Sequence, residues 1–142
     1  MAKKGLTWKV LIPIDGSRHS IRALEYAAER QKRGDRFTTV ILHVQPHIPA
    51  YVDHEMVQKW KSSELKRLTS KAKVKSLKDQ LRAEMLVATG NEATEIVACA
   101  KKIRCREIVM GTRGLVALKG LILGAVAIKV VQLATVPVTL VK

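Results

Sequence analysis

Five short runs of β-branched and aliphatic residues, separated by stretches with apolar residues at helical spacing, constrain this chain more than any other feature. The runs are Trp8–Ile14, Phe37–Val44, Arg82–Ala88, Glu107–Met110 and Val136–Val141. After Ser17, the residues Ile21, Leu24, Ala27 and Ala28 recur with the helical period, and Gly34 closes the segment. Pro46 and Pro49 punctuate a loop. A long basic helix is expected from Asp53 to Leu81, with one apolar stripe at Leu65, Leu68 and Ala72. A second, shifted stripe at Val74, Leu77 and Leu81 predicts a break near residue 73. Asn91 suits the N-cap of a helix through Ile96, Val97 and Ala100, and Gly124–Ala134 reads as the last helix. The order β-α-β-α-β-α-β-α-β implies right-handed crossovers. The fold class is therefore α/β: a doubly wound, five-stranded, mostly parallel sheet with helices on both faces, in one domain spanning residues 1–142. Aromatic residues are only 4% of the chain, so the core of that sheet must be aliphatic.

Ligands of such sheets bind beyond the carboxyl ends of the strands, where the strand order reverses. The residues that follow the first, second and fourth strands therefore carry most of the functional information. After the fourth stand Met110-Gly111-Thr112-Arg113-Gly114, and Gly124-Ala125-Val126 opens the last helix. Glycine lets backbone approach a ligand closely, and a helix entrance offers free N–H groups and a positive dipole end that suit phosphate. The spacing is neither that of a Walker A loop, which needs Gly-Lys-Ser/Thr, nor the G-x-G-x-x-G dinucleotide fingerprint.

Gly111, Gly114 and Gly124 match the G-x2-G-x9-G-(S/T) pattern, and Val10-Leu11-Ile12-Pro13-Ile14-Asp15-Gly16-Ser17 forms a first strand ending in an aspartate. With Leu42-His43-Val44 and the closing Pro137-Val138, these segments make the chain resemble a universal stress protein over nearly its whole length. The resemblance implies a Rossmann-like fold of the adenine nucleotide alpha hydrolase type and a small cytoplasmic stress-response protein that binds ATP or AMP as a regulatory homodimer. It implies that Ile14, Val44 and Met110 flank adenine, with Pro13 alongside. Asp15 would lie near the ribose or a phosphate-bound Mg, and Gly111, Gly114, Gly124, Ala125 and Val126 would cradle phosphates through backbone N–H groups. Ala125 departs from the pattern, because a hydroxyl expected on phosphate is missing. The departure predicts weakened binding, and it moves the chain toward an alternative reading, an interaction dimer that binds no nucleotide.

Other residues admit plainer roles. Asp15 could serve only as N-cap of the first helix, and Arg113 could meet phosphate or be a solvated loop residue. His43 reads as a packed polar residue within a strand, and His19, His47 and His54 show no nucleophile pairing or metal-ligand spacing. Cys99 and Cys105 match no zinc or redox spacing and read as reduced structural thiols. No enzymatic motif is present, so an enzyme is not expected. The amino terminus shows no signal-peptide pattern, and the apolar stretch Leu115–Val131 carries Lys119 and Lys129 and is too short for a membrane span. A cytoplasmic location follows as the expectation.

The net charge is +14, and nine of the 26 Lys and Arg residues lie between Lys59 and Arg82. That segment is expected to bind polyanions weakly and without sequence preference, because Trp60 is its only aromatic. The resemblance places Val136–Val141 at a sheet edge, where an apolar strand invites pairing with a second copy. Proline at Thr139 is expected to remove one of the free N–H donors of that edge.

Overall fold

The computed structural model describes residues 7–113 and 123–142. Each strand begins where β-branched residues accumulate and ends at a turn residue. The elements are β1 (Trp8–Pro13), α1 (Arg18–Lys32), β2 (Phe37–Gln45), α2 (His54–Ser70), α3 (Ala72–Leu81), β3 (Glu84–Thr89), α4 (Glu92–Ile103), β4 (Glu107–Gly111), α5 (Ala125–Leu133) and β5 (Val138–Val141). The five strands form one sheet in the order β3-β2-β1-β4-β5. Every neighbouring pair is parallel, so the expected "mostly parallel" sheet is parallel throughout.

Strand alternation distributes the side chains between two cores. Val10, Ile12, Ile41 and Val109 pack with α1 and with Leu68, Val74, Leu77 and Leu81 of α2 and α3. Leu11, Leu42, Ile108 and Met110 face the other way, against Ala93, Ile96 and Ala100 of α4 and Ala127 and Val130 of α5. Val10, Leu11 and Ile12 are all fully buried, as a central strand covered on both faces requires. The strand order reverses beside β1: β2 leaves on one side and β4 on the other, which opens a crevice at their carboxyl ends.

Several boundaries differ from the sequence expectation for local reasons. The break in the basic helix falls at Lys71 rather than near 73, because Lys71 has extended backbone (φ −58°, ψ 117°) and its amine donates to the Gly16 carbonyl at 2.9 Å. β3 begins at Glu84 rather than Arg82, since Arg82 is the left-handed cap of α3 (φ 49°). β5 begins at Val138; Pro137 precedes it, its carbonyl accepting from the Ile108 N–H at 3.0 Å. Asp15 is not the N-cap of α1. Ser17 holds that position and accepts from the Ser20 N–H at 3.2 Å, while Asp15 Oδ1 accepts from the Ser17 N–H at 2.8 Å.

β5 is an edge strand, as expected. The expectation for Thr139 is corrected by the register. The carbonyls of Pro137 and Val141 accept from Ile108 and Thr112, so odd-numbered residues of this strand turn their backbone groups toward β4. The N–H groups of Val138 and Leu140 face the open edge instead. Thr139 also donates its hydroxyl to Glu107 Oε1 at 2.7 Å.

Candidate functional site

A cavity of about 380 Å³ occupies the crevice at the carboxyl ends of β1, β2 and β4. The turn after β1 brings Pro13, Ile14 and Asp15 to its wall, and the end of β2 brings Leu42 and Val44. Met110, Gly111 and Arg113 enter from the end of β4, and Gly124, Ala125, Val126 and Ala127 from the start of α5. Every site residue anticipated from the sequence lines this one cavity except Gly114, which lies outside the described residues.

The wall is apolar at one end. Ile14, Leu42, Val44, Ile96 and Met110 supply flat aliphatic surface, with Ile14, Leu42, Ile96 and Met110 buried. His43 stands next to them with Nδ1 3.0 Å from the Ile14 carbonyl oxygen, a contact in which the ring nitrogen must donate. It is a packed polar residue that ties β2 to the β1 turn.

The other end is built from backbone donors. Gly124 is the N-cap of α5 with extended backbone (φ −76°, ψ 161°), and among the described residues no side chain caps the helix. Among the described residues, no side chain takes the first N–H groups of α5, which open toward the cavity wall formed by Gly124, Ala125 and Val126. Gly124 is anchored in turn, its N–H donating to the Thr112 carbonyl at 2.7 Å, and the Thr112 N–H donates to Val141 at 2.9 Å. Gly111 is glycine because space demands it: a Cβ there would lie 2.7 Å from the carbonyl carbon of His19. The Nε of Arg113 is buried with no hydrogen-bond partner among the described residues.

Ser20, Leu42, Glu92, Ile96 and Ala127 also line the cavity, and sequence reasoning missed them. Glu92 and Ile96 are spaced four apart at the start of α4, so they share a face. That spacing was legible, but which face of α4 meets β2 was not. Burial pushes the Glu92 carboxyl above its usual range, the negative charge of Asp15 adds to the effect, and His43 opposes it. Among the described residues no group of three or more His, Cys, Asp or Glu side chains could hold a metal ion.

The family model described as the universal stress protein family matches residues 8–142. This chain belongs to the universal stress protein family. It is 35% identical over 147 residues to universal stress protein YxiE of Bacillus subtilis, covering 94% of this chain and 98% of that one. It is 34% identical over 135 residues to a universal stress protein of Thermus aquaticus, covering 94% and 97%. Among solved structures, protein MJ0577 superposes with a TM-score of 0.70 at 26% identity over 95% of each chain. The family fold is shared with a universal stress protein solved in complex with cAMP (TM-score 0.65, 21% identity, 95% and 96% covered) and with one from Archaeoglobus fulgidus in complex with dAMP (0.61, 22%, 96% and 98%). The Rossmann-like universal stress fold read from the sequence is the fold observed. Among the described residues no helix is long and apolar enough to cross a membrane.

Proposed function

We propose that this universal stress protein binds an adenine nucleotide, ATP or AMP, in the cavity, and that it acts as a cytoplasmic regulatory homodimer rather than as an enzyme. The observation that carries the reading is the convergence on one cavity of an aliphatic slot, Ile14, Val44 and Met110, with the uncapped start of α5 and Arg113. A slot of that kind accepts a flat base, while helix N–H groups and a guanidinium accept phosphate. The volume of about 380 Å³ lies within the range of small-molecule sites, roughly 300–1,000 Å³. The cAMP and dAMP complexes of two family members support the choice of nucleotide. Asp15, on the cavity wall, would lie near the ribose or a Mg ion that arrives with the phosphates.

The alternative, an interaction dimer without nucleotide, is favoured by Ala125, which offers the phosphate no hydroxyl where α5 also lacks a side-chain cap. A hydrogen bond to a charged group contributes roughly 1.5–3 kcal/mol, or about ten- to a hundredfold in affinity. Calorimetry should therefore show micromolar to sub-millimolar ATP binding that tightens about tenfold in Ala125→Ser. Mass spectrometry of the purified protein after mild denaturation should detect released ATP or AMP. No bound nucleotide, together with no heat from either protein, would leave the alternative standing.

The dimer is assigned to β5, whose outward N–H groups and aliphatic side chains stand at the sheet edge. The basic face of α2 and α3 is assigned weak polyanion binding, which should collapse as salt rises.

A further inference from the structure

α2 is a helix that the rest of the fold barely packs against. Leu68 is the single buried residue among its 17, whereas the shorter α4 buries Ala93, Ile96, Val97 and Ala100. Helices in water draw most of their stability from a packed apolar face, so a long helix with so little packing has a face left for a partner. Its orientation is fixed. The Lys61 amine donates to Thr89 Oγ1 at 3.1 Å, and the Lys61 carbonyl accepts from Gln45 Nε2 at 3.1 Å, which turns that side toward the ends of β2 and β3. On the other side Met56, Lys59, Trp60, Ser63, Lys66 and Arg67 recur at helical spacing, and all six are exposed.

The chemistry of that outer face is mixed in a particular way. Met56 is 63% exposed, Trp60 40%, and Tyr51, in the turn ahead of the helix, 90%. The chain has only two Trp, two Tyr and one Phe. Trp8 and Phe37 pack at the core with ring centroids 6.4 Å apart, and Tyr26 lies under the Arg30 guanidinium. Among the described residues Tyr51 and Trp60 have no ring or cation contact. The charge around them is one-sided: among the described residues Lys59 and Lys66 form no ion pair, and Arg67 is offset by Glu64 at 3.0 Å.

We propose that the outer face of α2, with Tyr51 ahead of it, docks on the surface of anionic lipid bilayers, lying on the membrane without spanning it. The proposal rests on the polyanion reading of α2 and α3 and deepens it by naming the polyanion; it is independent of the nucleotide cavity. Aromatic and thioether side chains enter the headgroup boundary, while interleaved amines stay with the lipid phosphates. The amines draw the protein to the surface, and Trp60 and Met56 supply the part of the attachment that salt does not screen. A second copy on this face would set Lys59 and Lys66 against like charges. An oligonucleotide would find little stacking on one Trp and one Tyr, and would leave Met56 without a role.

The test uses phosphatidylcholine vesicles with and without phosphatidylglycerol, and a single-stranded oligonucleotide as the competing polyanion. Cosedimentation of the native chain measures binding. Emission from Trp8→Phe, in which Trp60 is the one tryptophan, measures insertion, with thermal melts to verify folding. The protein should bind only the vesicles with phosphatidylglycerol, shift its Trp60 emission to the blue, and keep part of its binding at high salt. Met56→Ser combined with Trp60→Ser should cut vesicle affinity about tenfold and make the remainder fully salt-sensitive. Lys59→Gln combined with Lys66→Gln should cut it about 25-fold, since each cation near an anionic surface contributes about fivefold. Both pairs are exposed and are read by cosedimentation, so the test stands even if Trp8→Phe does not fold. Anionic vesicles that leave the chain in solution, or that bind it equally well without Met56 and Trp60, overturn the membrane assignment. Oligonucleotide binding retained in that case leaves the polyanion reading standing, and its absence overturns both.

Discussion

Replacing Gly111 with alanine tests the packing that shapes the floor of the site. Gly111 ends β4 and is buried, and its φ is not in the left-handed region, so alanine is acceptable there conformationally. The obstacle is steric. The added Cβ would lie 2.7 Å from the carbonyl carbon of His19 and 2.8 Å from both its Cβ and its oxygen. Ordinary contact begins at 3.4 Å, so the first turn of α1 must retreat by about 0.7 Å. Two of those three atoms are backbone, and rotating a side chain cannot relieve them. The helix is fastened at both ends, by the Ser17 cap and by Arg30, whose guanidinium binds Glu107 at the other end of β4 at 2.8 Å. Overpacking of this kind costs about 1–3 kcal/mol. For a chain of this size, Tm should fall by roughly 4 °C per kcal/mol. Urea denaturation should show a lower midpoint with an unchanged slope. Gly34→Ala is the contrasting case: nothing among the described residues lies within 4 Å of its Cβ, so its cost is that of a φ of +109°. A Gly111→Ala protein that melts within a degree of wild type would show that α1 yields freely, and would refute the steric argument.

Removing the outward N–H of the edge strand with Leu140→Pro should shift the protein toward monomer in sedimentation, while Thr139→Pro should unfold β5 because its N–H serves β4; a wild-type monomer at tens of micromolar defeats the β5 interface. Because the Glu92 carboxyl is held above its usual range, the fold disfavours its charge. Glu92→Gln should therefore be the more stable protein at neutral pH, and the gap should close as pH falls through the raised value and wild type takes up its proton; a gap that widens in acid contradicts the sign. Burial raises both the Cys99 and Cys105 thiols, so the folded protein should react slowly with a maleimide and the denatured protein quickly; fast native labelling of Cys105 would place it outside the core.

The elements and the chemistry of the loops were legible from residue order alone. β-branched runs and helical periods are local patterns, and they placed all five strands and the order of the helices. The glycines at 111 and 124 and the Asp15 turn were legible because close approach and helix entrance demand particular residue types. The break in the basic helix was placed near 73 because periodicity alone was available; the tertiary structure put it at Lys71, where a long-range bond to Gly16 rewards extended backbone. Glu92 was invisible as a site residue for the same reason: it lines the cavity because α4 lays its first turn over the end of β2. The register that turns Thr139 inward and Leu140 outward is likewise a property of the β4–β5 pair. Local patterns decide which residues can form a strand or a turn, but the neighbours those residues meet are chosen by burial and pairing across the whole chain.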